Sequence, residues 1–283
     1  MLISEALELA TDKFSAAGVL SPSVDAELLG CFILETTRSE LTLLAISNEI
    51  FPENKLVDFL EAVGRREKRV PLQHITGLAP FRHLELEVGP GVFIPRPETE
   101  QLVDLAMHKI SDISNPVIVD LCAGSGAIAI SISTEVPGSN VYAVELSQDA
   151  FAFLTRNYQR YGLDPRTLRN ENLTTAFEEL ASSVDLVVSN PPYIPDAAVP
   201  IDLEVKLHDP SLALYGGVDG LDVIRQISTR AMHLLRPGGH LVLEHAHTQA
   251  PAISELLLTQ GWQEVVSASD LTGKDRMISA VRP

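Results

Sequence analysis

The segment with the most chemistry in it is Asn190-Pro191-Pro192-Tyr193, which follows directly on the apolar run Val184-Asp185-Leu186-Val187-Val188-Ser189. Two prolines remove two backbone donors and fix two φ angles, so the run ends in a rigid turn whose carbonyl oxygens point away from the strand ladder. Such a turn accepts hydrogen bonds. The Asn190 side-chain oxygen and the Pro191 carbonyl can together hold the NH2 of a planar amide or of an amino-substituted base. Tyr193 is placed to stack on that planar group and exclude water. Taken alone, the same residues also describe a proline-terminated strand with an aromatic plug.

Two further signals lie upstream. Asp120-Leu121-Cys122-Ala123-Gly124-Ser125-Gly126 is a strand running into a small-residue turn and then a helix. Gly124 and Gly126 permit backbone angles closed to other residues and let a ligand approach the main chain, while the helix start offers N–H groups. This is not the G-x-G-x-x-G of a dinucleotide site, because Cys122 occupies the first position and Ile128 and Ala129 stand where a third glycine would fall. Glu145 closes the run Val141-Tyr142-Ala143-Val144, roughly twenty residues further on, the spacing at which an acid accepts hydrogen bonds from both ribose hydroxyls. An adenosyl group fits both ends.

These residues need a scaffold that brings strand ends together. Beyond Pro97 the pattern alternates helix and strand: helices over Glu98 to Ile110, Ala127 to Thr134, Gln148 to Tyr161 and Leu221 to Leu234, and strands over Val117 to Leu121, Asn140 to Glu145, Val184 to Ser189, His240 to Glu244 and Met277 to Val281. That order predicts a mainly parallel sheet with helices on both faces, in which ligands collect at the carboxyl ends of the strands. Residues 1–78 read as short helices punctuated by Pro22, Thr37 to Ser39 and Pro52, with Leu2, Ala6, Leu9 and Ala10 on one face and Val24, Leu28 and Leu29 on another. The cluster Arg65, Arg66, Lys68 and Arg69 reads as a solvated, dipole-matched helix end. Residues 79–96 read as a β-hairpin linker: Phe81 to Val88 alternates, Gly89-Pro90-Gly91 breaks it, and Val92 to Ile94 forms the return strand. Residues 97–283 make up the α/β domain.

Composition narrows the function classes. With 283 residues, 45% hydrophobic and 21% charged, the chain reads as globular with two domains. No apolar run reaches the ~18 residues of a membrane span, and the first helix, with Glu5, Glu8 and Asp12, does not read as a signal peptide, so a cytoplasmic protein is expected. Cys31 and Cys122 lack partner spacing, which argues against a disulfide framework or a thiolate zinc site. His83, His245 and His247 lack a matching ligand spacing, and no metal is expected. A net charge of -17 disfavours a nucleic-acid partner, since sequence-tolerant affinity for phosphates comes from Lys and Arg.

Together with Asn190 to Tyr193, several further segments carry a resemblance over almost the whole chain. They are Pro71-Leu72-Gln73-His74-Ile75-Thr76-Gly77, Ile94-Pro95-Arg96-Pro97-Glu98-Thr99-Glu100, Asp209-Pro210 with Ala213-Leu214 and Gly216-Gly217, Asp219-Gly220-Leu221, Pro237-Gly238-Gly239 and Leu243-Glu244-His245. With these the sequence resembles the release-factor glutamine methyltransferases of the PrmC/HemK family. The resemblance implies a helical N-terminal domain that helps recognise the release factor, followed by a Rossmann-like, seven-stranded class I methyltransferase domain. The cofactor it implies is S-adenosylmethionine. The acceptor it implies is the glutamine of the Gly-Gly-Gln motif of class-1 peptide-chain release factors, methylated on its side-chain amide nitrogen; a monomer is expected, although the sequence itself does not decide the oligomeric state.

By the same resemblance, Asp120, Cys122, Ala123, Gly124, Ser125, Gly126, Glu145, Asn172, Leu173 and Asn190 contact the cofactor. Asn190, Pro191, Pro192 and Tyr193 meet the glutamine, with Phe93, Pro95 and Arg96 near the mouth of the site. His74, Leu207-His208 and Leu173 depart from the family pattern, the last where an aromatic side chain often packs on adenine. Two rival readings are a DNA or RNA methyltransferase acting on an exocyclic base amine, and a non-catalytic cofactor-binding translation regulator.

Overall fold

A computed structural model describes residues 1–283. The chain divides into two compact units, one of Met1–Leu78 with Pro200–His208 and one of Ala79–Val199 with Asp209–Pro283.

In the first unit, α1 (Ile3–Ala16), α2 (Pro22–Leu34), α3 (Arg38–Ile46), α4 (Glu53–Glu67) and the short α5 (Leu72–Thr76) surround a core that includes Ile3, Ala6, Phe14, Leu29, Leu41 and Phe59. The α2 face differs from expectation. Val24 and Leu28 are exposed, and the helix buries Asp25, Ala26, Leu29 and Gly30 instead. The basic cluster on α4 is corrected as well. Arg66 follows Phe59, Ala62 and Val63 at helical spacing and so points inward. A guanidinium taken out of water needs partners. It finds them in Asp25 at 2.7 Å and in Glu204 of Pro200–His208 at 2.8 Å. Arg69 joins from the side, through Glu204 and the carbonyls of Ala17 and Gly18. Of the cluster, Arg65 and Lys68 remain exposed.

The second unit opens with a hairpin of β1 (Leu78–Phe81) and β2 (Leu84–Glu87). Its turn is at Arg82-His83, not at Gly89-Pro90-Gly91, and Val92 to Ile94 is not a strand. Arg82 adopts φ +52° although it is not glycine. The turn is held from outside: the Arg82 N–H donates to the Glu100 carboxylate and its guanidinium binds Glu135. Val92 and Ile94 are instead buried in a small cluster with Ala150 and Phe153.

The chain continues through α6 (Pro97–Lys109), β3 (Val117–Leu121), α7 (Ala127–Glu135), β4 (Asn140–Val144), α8 (Gln148–Arg160), β5 (Leu168–Arg169) and β6 (Val184–Ser189). After α9 (Leu203–His208), which belongs to the first unit, come α10 (Ser211–Leu214), α11 (Asp222–Leu234), β7 (Leu235–Glu244), α12 (Ala250–Thr259), β8 (Gln263–Ser269) and β9 (Asp275–Val281). The seven strands lie in the order β5-β4-β3-β6-β7-β9-β8, parallel except for β9, which pairs antiparallel with both neighbours.

Alternate residues of the central strands serve opposite cores, the pattern of a parallel sheet covered on both faces. Ile118, Leu186 and Val242 face Leu102, Ile128 and Leu154 of α6, α7 and α8. Val119, Val187 and Leu241 face Ile224, Ile227 and Ile253 of α11 and α12. Successive connections leave β3 toward β4 and β6 on opposite sides, so the carboxyl ends of these three strands flank the point where a doubly wound sheet leaves a crevice.

Candidate active site

At the end of β3 the chain turns sharply through three left-handed residues, Cys122 (φ +67°), Gly124 (φ +58°) and Gly126 (φ +91°). The two glycines differ in what surrounds them. A side chain on Gly126 would collide with Leu154 and Ile130, whereas at Gly124 no protein atom lies within 4 Å of the added carbon. The open face of the turn is therefore at Gly124. Cys122 is strained for a side-chain-bearing residue, and burial pushes its thiol well above the usual range, so it stays protonated.

The N–H groups of the turn are less available than expected, because two carboxylates take them. Gly124 donates to Glu145 Oε2 at 2.9 Å and Ala129 to Asp120 Oδ2 at 3.1 Å, while Gly126 donates to the Ala123 carbonyl. Asp120 is fully buried, which raises its carboxyl pKa well above the ordinary value. Glu145 also accepts from the Ser147 N–H through Oε1 at 2.7 Å. Backbone N–H groups of Gly124, Ser147 and Leu146 thus face its two oxygens, whose roughly four lone-pair sites still leave room to accept from a ribose. Burial holds its pKa above the usual carboxylate range, a penalty that two donated hydroxyl bonds would offset. The turn and Glu145 therefore suit an adenosyl group. Asn172 is exposed and closes its own turn by accepting from Thr174, and Leu173 is buried among Val144, Ala176 and Phe177.

At the end of β6, Pro191 is buried while Asn190, Pro192 and Tyr193 are half-buried. The corner is braced from behind. Ile194 pairs with Tyr215, its N–H donating to the Leu214 carbonyl at 2.8 Å and its carbonyl accepting from Gly216 at 2.9 Å. Here Gly216 and Gly220 are required by close approach: an added carbon would lie 2.6 Å from the Pro192 carbonyl oxygen at the first and 2.3 Å from that of Tyr193 at the second. Gln249 Nε2 donates to the Tyr193 carbonyl at 2.9 Å.

The side chains of the corner meet residues whose individual roles sequence reasoning left unassigned. Asn190 Nδ2 donates to Thr99 Oγ1 at 3.1 Å, and Thr99 Oγ1 donates to Glu244 Oε2 at 2.7 Å. The Tyr193 hydroxyl stands 3.5 Å from Glu244 Oε1. Glu244 is 4% exposed, and burial raises its pKa to about 7, opposed by the Thr99 bond and Arg276. Burial and the nearby Glu244 push the Tyr193 phenol well up, so it remains protonated. The available signal was Thr99 and Glu244 inside two of the resemblance segments, without a partner to link them. Among the residues expected at the mouth, Arg96 lies over the Phe93 ring at 5.0 Å and donates to Asp209 Oδ2 at 2.7 Å, which gives Asp209-Pro210 a structural purpose. No three of His, Cys, Asp or Glu gather into a metal-holding group, and His245 is buried with Nδ1 on the Ala246 carbonyl.

Known proteins share this organisation. Residues 5–77 match the PrmC N-terminal domain family and residues 85–209 the methyltransferase small domain family. The ribosomal protein L11 methylase of Lactobacillus delbrueckii subsp. bulgaricus superposes with a TM-score of 0.51 at 16% identity, covering 72% of this chain and 98% of that one. The hMettl16 catalytic domain, solved with a hairpin, does so with a TM-score of 0.54 at 15% identity, covering 81% of each chain. At such identities the likeness speaks for the class I methyltransferase fold alone. The release factor glutamine methyltransferase of Streptomyces coelicolor is 45% identical over 99% of this chain and 98% of its own length. That of Bifidobacterium longum is 42% identical over 99% of this chain and 100% of its own. With that identity sustained from end to end, the chain belongs to the release factor glutamine methyltransferases, a family of S-adenosylmethionine-dependent enzymes.

Proposed function

We propose that this chain methylates the side-chain amide nitrogen of the glutamine in the Gly-Gly-Gln motif of peptide-chain release factors. The observation that carries this reading is the orientation of Asn190. With Nδ2 committed to Thr99, Oδ1 is the edge left for a ligand, and the carbonyl of Pro191, the next residue in the chain, is the second acceptor of this reading. Two acceptors side by side match the two hydrogens of a carboxamide NH2.

An amide nitrogen is a poor nucleophile because its lone pair is delocalised into the carbonyl, so orientation matters more than proximity. When bound, S-adenosylmethionine supplies an electrophilic methyl group on a sulfonium. Asn190 Oδ1 and the Pro191 carbonyl aim the nitrogen and favour the positive charge that develops on it. The methylated nitrogen is acidic enough to lose its proton without a dedicated base. Tyr193 covers the planar group and shields it from water. The open face at Gly124 and the spare lone pairs of Glu145 hold the adenosyl part, with Asn172 and Leu173 beside the adenine. Phe93, Pro95 and Arg96 line the mouth, and the helical segment 1–78 contributes to recognition of the release factor.

The test is to incubate the purified chain with isotopically labelled S-adenosylmethionine and a release factor, then locate the label by tandem mass spectrometry. One labelled methyl on the Gly-Gly-Gln glutamine is the expected result. Label on another residue, or on nucleic acid offered in competition, would refute the reading.

A further inference from the structure

Asn190 can serve as an acceptor only if its amide sits one way round, and a planar amide is nearly symmetric in shape. Something must therefore distinguish its two ends. The Thr99 hydroxyl has a single hydrogen, and it is donated to Glu244 Oε2. Toward Asn190 the same oxygen has only lone pairs to offer, so it demands Nδ2. The flipped amide would set two acceptors against each other across 3.1 Å. The carboxylate also faces the Tyr193 hydroxyl through its other oxygen, so one buried group is linked to Tyr193 directly and to Asn190 through Thr99.

We propose that Thr99 and Glu244 form a positioning relay that fixes the Asn190 amide with Oδ1 toward the substrate carboxamide, a role that rests on the amide-methylation reading above. Neither residue touches the reacting atoms. The relay acts by polarity: an ionised carboxylate accepts only, so the hydroxyl proton points to it and the amide NH2 points to the hydroxyl. Once Glu244 takes up a proton it can donate, the hydroxyl is free to turn and give its proton to Asn190 Oδ1, and Nδ2 then opposes the substrate NH2.

The groups around the carboxylate fix the direction of the pH effect. Glu98 and Thr99 on α6, Tyr193 beyond β6 and Arg276 on β9 face it, with His245 beside it on the chain. Burial outweighs Arg276 and places its titration at about pH 7. Turnover is therefore fully present above that pH and is lost as pH falls through it.

The experiment is methyl transfer to a release factor by the wild-type chain and by Thr99→Val, Thr99→Ser and Glu244→Gln, with cofactor affinity and melting temperature measured on each. Thr99→Val keeps the shape and removes the relay, and it should lower kcat by about tenfold or more, with KM and cofactor affinity within about threefold of wild type. Thr99→Ser should restore most of the rate. Glu244→Gln carries an NH2 that, like the protonated acid, can donate to the Thr99 hydroxyl, and it cannot titrate, so its rate should stay near the low-pH rate of the wild type at every pH, without the acid limb near pH 7. Wild-type kcat in Thr99→Val, a loss of melting temperature and cofactor affinity parallel to that of kcat, or an acid limb that persists in Glu244→Gln would each overturn the relay. A wild-type chain that leaves the glutamine unmethylated would instead overturn the function on which the relay rests.

Discussion

The two ends of the proposed site are built in different ways. The cofactor end is local: a turn from Cys122 to Gly126 and one carboxylate, Glu145, bonded to each other through the Gly124 N–H. The acceptor corner is four residues held by distant ones, with Thr99 on α6, Leu214 closing α10, Gly216 after it, Gly220 before α11, Glu244 closing β7 and Gln249 before α12. Cofactor holding needs a few donors, a carboxylate and open space, which one turn provides. Aiming an amide nitrogen needs two oxygens fixed in direction, and a fixed direction requires bracing from several sides. Substitutions at the corner should therefore alter rate, and substitutions at the turn should alter affinity.

The largest effect is expected at the corner itself. Asn190→Ala removes one of the two acceptors and should lower kcat by about a hundredfold or more, while calorimetry finds cofactor affinity within about threefold of wild type. Gly220→Ala sharpens the same point from behind. Its new carbon would press on the Tyr193 carbonyl from 2.3 Å at a φ of +77°, so the corner must shift. Turnover should fall by about tenfold or more, with about 1–3 kcal/mol of stability lost in chemical denaturation.

At the other end, Glu145→Ala should weaken cofactor binding by about tenfold or more in calorimetry, since hydrogen bonds to a charged group contribute about 1.5–3 kcal/mol, and leave kcat at saturating cofactor within a few-fold. The smallest effect belongs to Gly124→Ala. No protein atom lies near the added carbon, so it should cost only about 1–2 kcal/mol for the left-handed angle, together with a few-fold loss of cofactor affinity. If Glu145→Ala abolished turnover at saturating cofactor, or Asn190→Ala abolished cofactor binding, the division between the two ends would fail.

This contrast also explains what could be read in the sequence. Val117–Leu121 and Val184–Ser189 were delimited by their apolar runs, because strands buried on both faces carry the strongest hydrophobic signal. The glycine turn, Glu145 and the proline corner are contiguous or regularly spaced, so they too were legible. The two-residue β5 is too short to carry a period, and β8 lies at the sheet edge with mostly exposed residues. The hairpin turn at Arg82 used no turn-forming residue, since a salt-bridged guanidinium holds a left-handed backbone there. Arg66 looked like a solvated charge because its partners, Asp25 and Glu204, lie 41 and 138 residues away. For the same reason Thr99 and Glu244, 145 residues apart, gave no local sign that they meet beside Asn190.

Methyl transfer here turns on the direction in which one nitrogen is held, and a crystal structure with a Gly-Gly-Gln peptide and S-adenosylhomocysteine would show that direction. The glutamine NH2 is expected within about 2.7–3.2 Å of both Asn190 Oδ1 and the Pro191 carbonyl oxygen, with Asn190 Nδ2 still on Thr99. A glutamine seated elsewhere, or an Asn190 amide turned with Oδ1 toward Thr99, would contradict it.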